Sequence, residues 1–347
     1  MRKGWLSLFA IAIAWLGVAS ARAETMDQLY PTAKSEGALL FYSGGPVEPY
    51  ERWAKEFMQK YPGIDVKVEG GFSNVLDSKI NQQIAAKKMD VDMALLQTVQ
   101  DFVGWKKEGA LIRFRPDGVD KYDARFRDKD EMFWATSVVL LSYAYNTNAL
   151  KPSDVPKSAL DFLRPQFAGK LVTAYPADDD ATLFVFDEIV KKYGWDYMKK
   201  YMANKPNFIQ GHLDELKSVA NGTNVVTFDA TNSTTGALKK AGQPIEFAFP
   251  TRDVMPTFFV TAGIFKGAPH PNAAKLFLSW YLAKDQQART GSFSARTDVP
   301  PPPGLKPLPS YKIDAGYQKL VTDRNIDALR KKFESYTGPV VNKGGVR

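Results

Sequence analysis

The stretch Trp134-Ala-Thr-Ser-Val-Val-Leu-Leu-Ser-Tyr-Ala-Tyr-Asn146 determines the architecture of this chain. It is mostly apolar and rich in Val, Leu and Tyr, with the character of a β-strand. A strand of this length can leave one lobe of a protein and enter a second. Residues 256–265 form another long apolar stretch with strand character. The two stretches therefore predict two crossovers between two lobes.

Upstream of the first crossover, strands and helices alternate along the chain. Strands are predicted at residues 38–42, 64–68 and 91–96. Helices are predicted after them, from apolar side chains at helical spacing, at about residues 50–61, 73–84 and 99–108. This alternation is typical of a parallel sheet with helices on its faces.

A second alternating unit lies between the two crossovers. Its strands are predicted at residues 169–174, 208–210, 225–229 and 245–249. Its helices are predicted at residues 158–163, 178–193, 195–202, 212–220 and 231–241. After the second crossover, a helix at residues 272–282 returns the chain to the first lobe. An irregular tail begins near the four prolines at 300–303, and a final helix is expected at about 326–336.

The N-terminus has the three parts of a secretory signal peptide. Arg2 and Lys3 are basic, an apolar run follows to about Val18, and Ala21-Arg-Ala23 matches an A-x-A cleavage pattern. The apolar run is shorter than the roughly 20 residues that span a bilayer. We therefore predict cleavage after Ala23 and a periplasmic location.

The composition excludes several classes of site. The chain has no cysteine, so thiolate metal sites and cysteine nucleophiles are excluded. Its two histidines make a histidine-rich metal site or a histidine relay hard to build. Without the predicted signal peptide the balance is 43 basic to 38 acidic residues. The charges are scattered along the chain, so nucleic-acid binding is not expected. We expect neither a cofactor nor a bound metal.

Four pieces of sequence, in this order, resemble a known family. They are residues 39–44 with the helix after them, Ser142-Tyr-Ala-Tyr-Asn-Thr-Asn148, Leu216-Lys-Ser-Val-Ala-Asn-Gly222, and Gly267-Ala-Pro-His-Pro-Asn-Ala-Ala-Lys-Leu-Phe277 followed by Gln286 and Gln287. Together they resemble the periplasmic solute-binding proteins of ABC transporters, in the group that includes the ferric-ion-binding proteins.

The resemblance covers essentially the whole chain after residue 23. It implies a type II-like α/β fold with two lobes, mixed sheets flanked by helices, and two crossover strands acting as a hinge around a ligand cleft. The first lobe is predicted to comprise residues 24–140 and 263–307, and the second lobe residues 141–262. Residues 308–347 are predicted to be a helical tail that packs on the lobes. The implied partners are a small-molecule ligand and an ABC permease in the inner membrane, with the protein as a monomer.

One departure from the family concerns its metal ligands. Ferric binders of this group present adjacent tyrosines at the start of the helix that follows the strand equivalent to residues 225–228. Here that segment is Asp229-Ala-Thr-Asn-Ser-Thr-Thr235, which has no tyrosine. Tyr42, Tyr143 and Tyr145 are the remaining phenols from which a rebuilt ferric site could be made.

Candidate ligand-binding residues follow from geometry, because ligands of open α/β sheets lie at the carboxyl ends of strands and at helix N-termini. The selected residues are Ser43, Gly44, Gly45, Ser73, Asn74, Gln97, Thr98, Asp179, Asp180, Thr182, Thr231, Asn232, Ser233 and Arg252. Most of them offer hydroxyl, amide or backbone N–H groups, which suit phosphate, phosphonate or carboxylate. The acids at residues 178–180 would add a contact to a ligand ammonium or to a metal, or would only complement the dipole of their own helix.

Several functions remain open on the sequence alone. We favour a transport protein that binds a small anionic or zwitterionic solute, with ferric-ion binding as the alternative. A periplasmic ligand sensor would use the same fold and cleft. A secreted hydrolase is disfavoured by the two histidines and by the lack of a G-x-S-x-G motif, so we do not expect an enzyme. Arg296 is a further residue that could reach the cleft.

Overall fold

The computed structural model describes residues 23–341 of the chain. The predicted signal peptide falls, except for Ala23, outside these residues, so its cleavage stays a prediction. Across the described residues, no helix has the length and apolar character required to cross a membrane.

The described residues form a mixed α/β fold. Its helices are α1 Met26–Glu36, α2 Glu48–Lys60, α3 Ser73–Ala85, α4 Val99–Lys107, α5 Asp180–Tyr193, α6 Asp196–Ala203, α7 His212–Ala220, α8 Asn232–Lys240, α9 Pro271–Tyr281, α10 Lys284–Gln287, α11 Tyr317–Val321 and α12 Ile326–Thr337. Its strands are β1 Ala38–Gly44, β2 Asp65–Gly71, β3 Met93–Leu96, β4 Trp134–Asn146, β5 Val172–Thr173, β6 Asn207–Phe208, β7 Val226–Thr231, β8 Ile245–Ala248, β9 Met255–Ile264 and β10 Ile313–Asp314.

The main sheet runs in the order β2-β1-β3-β9-β4-β7, with β8 paired to β4 and β10 paired to β9. β1 is parallel to β2 and β3, whereas β9 is antiparallel to both β3 and β4. The predicted mixed sheet is therefore confirmed.

β4 and β9 are the two predicted crossover strands. β4 pairs with β9 up to Leu140, and from Leu141 onward it pairs with β7 and β8. The second half of β9 pairs in turn with β3. We call the half of the molecule around β1, β2 and β3 the first lobe and the half around β5, β6, β7 and β8 the second lobe. The boundaries predicted for the lobes and the tail remain predictions.

Buried aromatic side chains pack against one another in both lobes. In the first lobe, Phe57 packs against Phe277 and Trp280, with ring centroids 5.2 and 5.4 Å away. In the second lobe, Phe228 packs against Phe162 and Phe186 at 5.2 and 5.0 Å. Burial of each such ring contributes about 1.5–3 kcal/mol, so these contacts anchor the helices on the sheet.

The C-terminal segment, residues 313–337, contacts both lobes. β10 adds a short parallel strand beside the start of β9, and α11 contacts α4 of the first lobe and α5 of the second. In α12, Phe333 packs on Trp195 and Phe186 of the second lobe.

Four predicted elements differ in the structure. The strands expected at 169–174 and 208–210 are only two residues each, β5 and β6, and they pair in a separate small sheet. Residues Ala159–Leu163 form a 3-10 helix rather than an α-helix. The helix expected from 178 begins at Asp180, because the Asp179 side chain caps it.

Candidate functional site

The carboxyl ends of the strands of the two lobes lie opposite each other. Gln97, which follows β3, donates from Nε2 to Asp179 Oδ2 of the second lobe at 3.5 Å. One turn along, Gln100 Nε2 donates to Asp180 Oδ2 at 2.8 Å. We call the space between these strand ends the interlobe cleft. Its first-lobe wall contains residues 43–45, 73 and 97–100, and its second-lobe wall contains residues 178–182, 211–212 and 231–233.

The loop after β1 is built from small residues. Ser43 is fully buried, and its Oγ has no hydrogen-bond partner among residues 23–341. A side chain at Gly44 would place its Cβ 2.5 Å from Ser73 Oγ, so glycine makes room for that hydroxyl. Gly45 has a φ of +87° and donates its N–H to Gly71 O at 2.8 Å. This N–H is therefore not free for a ligand.

Thr98 and Thr231 occupy matching positions in the two lobes. Each stands at the N-cap position of the helix after a buried strand, and neither side chain makes a capping hydrogen bond. Both hydroxyls are buried without a partner in the described part of the chain, although Thr98 Oγ1 lies beside the Asp101 carboxyl outside hydrogen-bonding geometry. A threonine at an N-cap ordinarily satisfies a backbone N–H. These two leave their hydroxyls available, whereas at the start of α4 the N–H groups of Val99 and Asp101 already donate to the carbonyls of Gln97 and Thr98.

The first turn of α8 adds an amide. Asn232 Oδ1 accepts a hydrogen bond from the backbone N–H of Leu140 on the crossover strand β4, at 2.8 Å. Its Nδ2 is buried and unpartnered among the residues described. Ser233 next to it is partly buried, whereas Asn74 at the start of α3 is exposed. The Ser73 hydroxyl accepts a weak hydrogen bond from Gln97 N at 3.4 Å.

The acids at the start of α5 already have partners. Asp179 accepts hydrogen bonds from the backbone N–H groups of Ala181 and Thr182. Burial disfavours its ionisation, but His212 at 3.5 Å and these hydrogen bonds lower the pKa of Asp179 to about 2. Asp178 accepts from Gln210, and Asp180 accepts from Gln100 and Arg330.

A buried polar network lies behind these acids. His212 Nδ1 is 3.1 Å from Glu215 Oε2, and Thr227 Oγ1 lies 2.5 and 2.6 Å from Glu215 Oε1 and Asp229 Oδ1. Thr182 donates its hydroxyl to Asp229 at 2.9 Å. Burial and the neighbouring Asp229 raise the pKa of Glu215 well above its usual range. Burial opposes protonation of His212, yet Asp179 and Glu215 raise its pKa well above the usual range.

His212, Glu215 and Asp229 bring one ring nitrogen and two carboxylate oxygens within 4.8 Å of one another. This is the one group in the described residues with the spacing of a metal site. The carboxylates, however, already accept hydrogen bonds from threonine hydroxyls, including Thr173 at 2.9 Å. Hydrogen bonds and a shared proton therefore account for the cluster, and its effect is to fix the start of α5.

Arg252 is not brought to the cleft. It is exposed in the loop after β8, and its carbonyl accepts a hydrogen bond from Lys192 near the C-terminal end of α5. The cleft lies at the other end of this 14-residue helix, roughly 20 Å away at 1.5 Å per residue. Arg296 is also held elsewhere, because it pairs with Asp298 and donates to the carbonyls of Gly118 and Leu282.

The three tyrosines considered for iron do not converge. Tyr42 precedes Ser43 on β1, so its side chain points to the opposite face of the sheet, where its hydroxyl meets Gln83 at 3.3 Å. Tyr143 donates to Asp253 at 3.1 Å, and burial together with that carboxylate raises the pKa of Tyr143 well above its usual range. Burial also raises the pKa of Tyr145. Because these three phenols face different partners, they do not together present a set of ferric ligands.

Two cavities open along α5 outside the cleft. One, of about 260 Å³, is lined by residues of β4, β7 and the C-terminal half of α5. The other, of about 500 Å³, lies between α5 and the C-terminal segment. Neither includes a strand-end residue of the cleft walls.

Four contributors to the cleft were not among the selected residues: Gln100, His212, Tyr317 and Arg330. Gln97, which the strand-end rule did select, lies on the first-lobe wall and donates to Asp179. Gln100 could have been found from its place on the first turn of α4. The sequence contains no signal for Tyr317 and Arg330, because their position depends on how the tail folds back.

Comparisons with known proteins found relatives that match most of the chain. A family model described as bacterial extracellular solute-binding protein matches residues 52–319. A probable ABC transporter periplasmic-binding protein, y4fP of Sinorhizobium fredii, is 24% identical over 349 aligned residues, covering 94% of this chain and 89% of the relative.

Two solved structures illustrate the likeness in fold. Iron-bound HitA from Pseudomonas aeruginosa matches with a TM-score of 0.71 and 18% identity, over 87% of this chain and 99% of its own. AfuA from Actinobacillus pleuropneumoniae, with exogenous fructose-6-phosphate bound, matches with a TM-score of 0.72 and 20% identity, over 86% and 98%. At these identities the likeness concerns the two-lobe fold alone.

Proposed function

Since this chain belongs to the bacterial extracellular solute-binding protein family, we propose that its interlobe cleft captures a small solute carrying a phosphate, phosphonate or carboxylate group. The chain acts as the solute-binding component of an ABC transporter, so its partners are a small molecule and a membrane permease. We further propose that it works as a monomer and reaches the periplasm through a signal peptide cleaved after Ala23.

The observation that carries this proposal is the set of buried polar groups without partners on both cleft walls. Ser43 Oγ and Thr98 Oγ1 lie on the first-lobe wall, and Thr231 Oγ1 and Asn232 Nδ2 lie on the second; none has a partner in the described part of the chain. A buried polar group left unpaired costs about 1–3 kcal/mol. A ligand whose oxygens accept from these groups would remove that cost.

Helix N-termini favour a negative ligand in the same place. α8 begins directly after Thr231, and its first turn offers backbone N–H groups with the positive end of the helix dipole behind them. α4 begins directly after Thr98 with the positive end of its dipole there as well, but the N–H groups of Val99 and Asp101 already donate to the carbonyls of Gln97 and Thr98. Oxyanions bind readily at such positions. The bound fructose-6-phosphate of the structural relative AfuA is a solute of this chemical class.

The acids at the start of α5 argue for a plain anion rather than a zwitterion. A ligand ammonium would need a carboxylate oxygen, but Asp179 is engaged by its own helix and by His212, and Asp180 by Gln100 and Arg330. We therefore propose that Asp179 and Asp180 hold the cleft walls and do not touch the ligand.

Ferric binding is the alternative, because iron-bound HitA shares the fold. It finds less support, since the Thr231 segment lacks tyrosine and the three other phenols lie apart. A visible absorption spectrum distinguishes ferric binding from oxyanion binding, because a ferric phenolate gives an absorption band that an oxyanion complex lacks.

The test is a thermal-shift screen of the full chain against inorganic phosphate, methylphosphonate, fructose-6-phosphate, citrate, glycine and ferric ion. A ligand present at 100 times its Kd stabilises the folded state by about 2.7 kcal/mol, which gives a clear rise in Tm. We expect a rise with at least one oxyanion and none with glycine. A rise with ferric ion alone, accompanied by a visible band, would refute the proposal.

Two isosteric variants then test the site itself. Thr98→Val and Thr231→Val remove unpartnered hydroxyls, so each should leave unfolding stability unchanged or raise it by about 1 kcal/mol. Each should weaken binding of the active oxyanion, measured by calorimetry, about tenfold. Thr223→Val, at an exposed position outside the cleft, is the matched control. Unchanged affinity in both cleft variants would remove these threonines from the site.

A further inference from the structure

The C-terminal segment reaches the interlobe cleft at two points. Tyr317 of α11 donates its hydroxyl to the backbone carbonyl of Gln97 at 3.2 Å. Arg330 of α12 donates from Nη2 to Asp180 Oδ1 at 2.6 Å. Gln97 precedes Thr98 on the first-lobe wall, and Asp180 begins α5 on the second-lobe wall. One continuous segment is therefore bonded to both walls.

Asp180 is the junction of three parts of the molecule. It belongs to the second lobe, its Oδ2 accepts from Gln100 of the first lobe at 2.8 Å, and its Oδ1 accepts from Arg330 of the C-terminal segment. The residue is only 7% exposed. In such surroundings a charge-assisted hydrogen bond is stronger and more directional than at the surface.

Tyr317 is held rigidly where it meets Gln97. The residue is fully buried, and its ring lies 6.0 Å from that of Phe184 in the second lobe and 5.7 Å from that of Phe258 in crossover strand β9. Its ring is thus anchored on the second lobe and the hinge, while its hydroxyl holds the first lobe. Opening the cleft separates Gln97 from Asp179 and Gln100 from Asp180, and it must also break the bond between Tyr317 and Gln97.

We propose that the C-terminal segment is a clasp that holds the two cleft walls together and lengthens the residence time of the bound ligand. Tyr317 and Arg330 are its positioning residues. The ligand part of this proposal rests on the proposed function of the cleft. The closure part does not, because it concerns the two lobes in the absence of any ligand.

The experiment measures closure first, without ligand. The chain has no cysteine, so Lys55→Cys and Lys240→Cys, exposed positions on α2 and α8, allow one fluorophore on each lobe. Single-molecule energy transfer then reports the interlobe distance. We expect Tyr317→Phe and Arg330→Gln to move the population toward longer distances. Arg330→Lys keeps the charge and should restore the shorter distance.

Arg324→Gln is the matched control, since Arg324 is exposed and lies in the same segment. It should leave the interlobe distance unchanged. Tyr317→Phe keeps the packing of the ring and removes one hydrogen bond, so it tests positioning even if a harsher variant fails to fold. An interlobe distance equal to that of the parent protein in both Tyr317→Phe and Arg330→Gln would overturn the clasp.

The second arm measures ligand kinetics with inorganic phosphate, by stopped flow. Loss of one clasp bond should raise the dissociation rate about fivefold to tenfold and change the association rate much less. Longer distances in the variants together with no phosphate binding by the parent protein would leave the clasp supported and count against phosphate as the solute. Equal dissociation rates in parent and variants would refute the effect on residence.

Discussion

The surroundings of Asp101 favour the uncharged, protonated form of its carboxyl. On α3 and α4, Asn81 and Trp105 are joined by a hydrogen bond of 2.7 Å, and one helical turn earlier on each helix stand Asp77 and Asp101. Burial raises the pKa of Asp101 to about 7, and the nearby carboxylates of Asp77 and Asp180 add to the effect, although Arg330 opposes it. The protonated form therefore predominates in the folded protein below about pH 7.

This shift makes stability depend on pH. The pKa of Asp101 is raised from 3.8 to about 7 on folding, so the folded state binds a proton that the unfolded state has released, and stability falls as pH rises from about 4 to 7. Asp101→Asn should remove this loss. We expect it to raise the free energy of unfolding at pH 8 by on the order of 2–4 kcal/mol, with a much smaller gain at pH 5, in urea titrations at both pH values.

Asp65→Asn is the control, because Asp65 is exposed on β2. Its free energy of unfolding should change with pH in the same way as that of the parent protein. If Asp101→Asn also ran parallel between pH 5 and pH 8, the raised pKa would be ruled out.

At the scale of one element, the start of α5 depends on a charge supplied by α7. Asp179 raises the pKa of His212 despite burial, which favours the protonated imidazole, whereas burial and Asp229 raise the pKa of Glu215, which favours the uncharged carboxyl. The two side chains are in contact, yet replacing each by glutamine has a different consequence. One replacement removes a charge, and the other removes only a neutral acid.

His212→Gln should destabilise the protein by about 3 kcal/mol at pH 7, since it leaves Asp179 buried without a counter-charge. Glu215→Gln should cost no more than about 1 kcal/mol, because an amide replaces a protonated carboxyl of similar shape. The free energy of unfolding in urea measures both. Equal losses in the two variants would contradict the assigned protonation states.

The raised pKa of His212 determines how its contribution to the free energy of unfolding changes with pH. Its contribution is fully present below the unfolded value of about 6.5 and is lost as pH rises through the folded value, which lies well above 6.5. The cost of His212→Gln should therefore shrink as the pH is raised.

The elements also show what the sequence can predict. Both crossover strands were predicted to within a residue or two, because β4 and β9 are buried on both faces and read as long apolar runs. β5 and β6 were predicted too long, since their short pairing depends on each other and on neighbouring segments. The short helix α11 has no cap or apolar repeat that marks it, and its buried Tyr317 is held only by distant residues.

The candidate site could likewise be predicted only in part from the sequence. The strand-end rule placed Ser43, Thr98, Thr231 and Asn232 on the two walls that face each other. It could not indicate which hydroxyls are already used, because this depends on caps and on partners far along the chain. Thr182, for example, looks like a cleft residue in the sequence but donates to the buried Asp229. Whether the selected residues bind ligand stays a prediction.

At the scale of the whole molecule, the two lobes share one core. A single contiguous cluster of buried residues includes Phe41 and Phe57 of the first lobe with Phe186 and Phe228 of the second. β4 also pairs with β7 and β8 of the second lobe and with β9, which in turn pairs with β3 of the first lobe. A lobe that unfolded alone would have to break the shared strands, so the lobes are expected to unfold together.

We therefore expect one cooperative unfolding transition. Tryptophan fluorescence and far-ultraviolet circular dichroism should give coincident urea curves, and the calorimetric enthalpy should equal the van't Hoff enthalpy. The clasp variant Tyr317→Phe serves as the comparison and should keep a single transition. Two separated transitions in the parent protein would show that the lobes are independent units.

The place of β9 in the sheet has a consequence for the order in which the protein can be assembled. β9 lies between β3 and β4, yet it comes about 110 residues after β4 in the chain. During synthesis from the N-terminus, β3 and β4 are complete long before β9, the strand that lies between them in the sheet. Contacts between such distant segments of the chain form slowly. The first lobe thus stays incomplete until the last third of the chain has been synthesised, and a partly made chain has no finished sheet to collapse into.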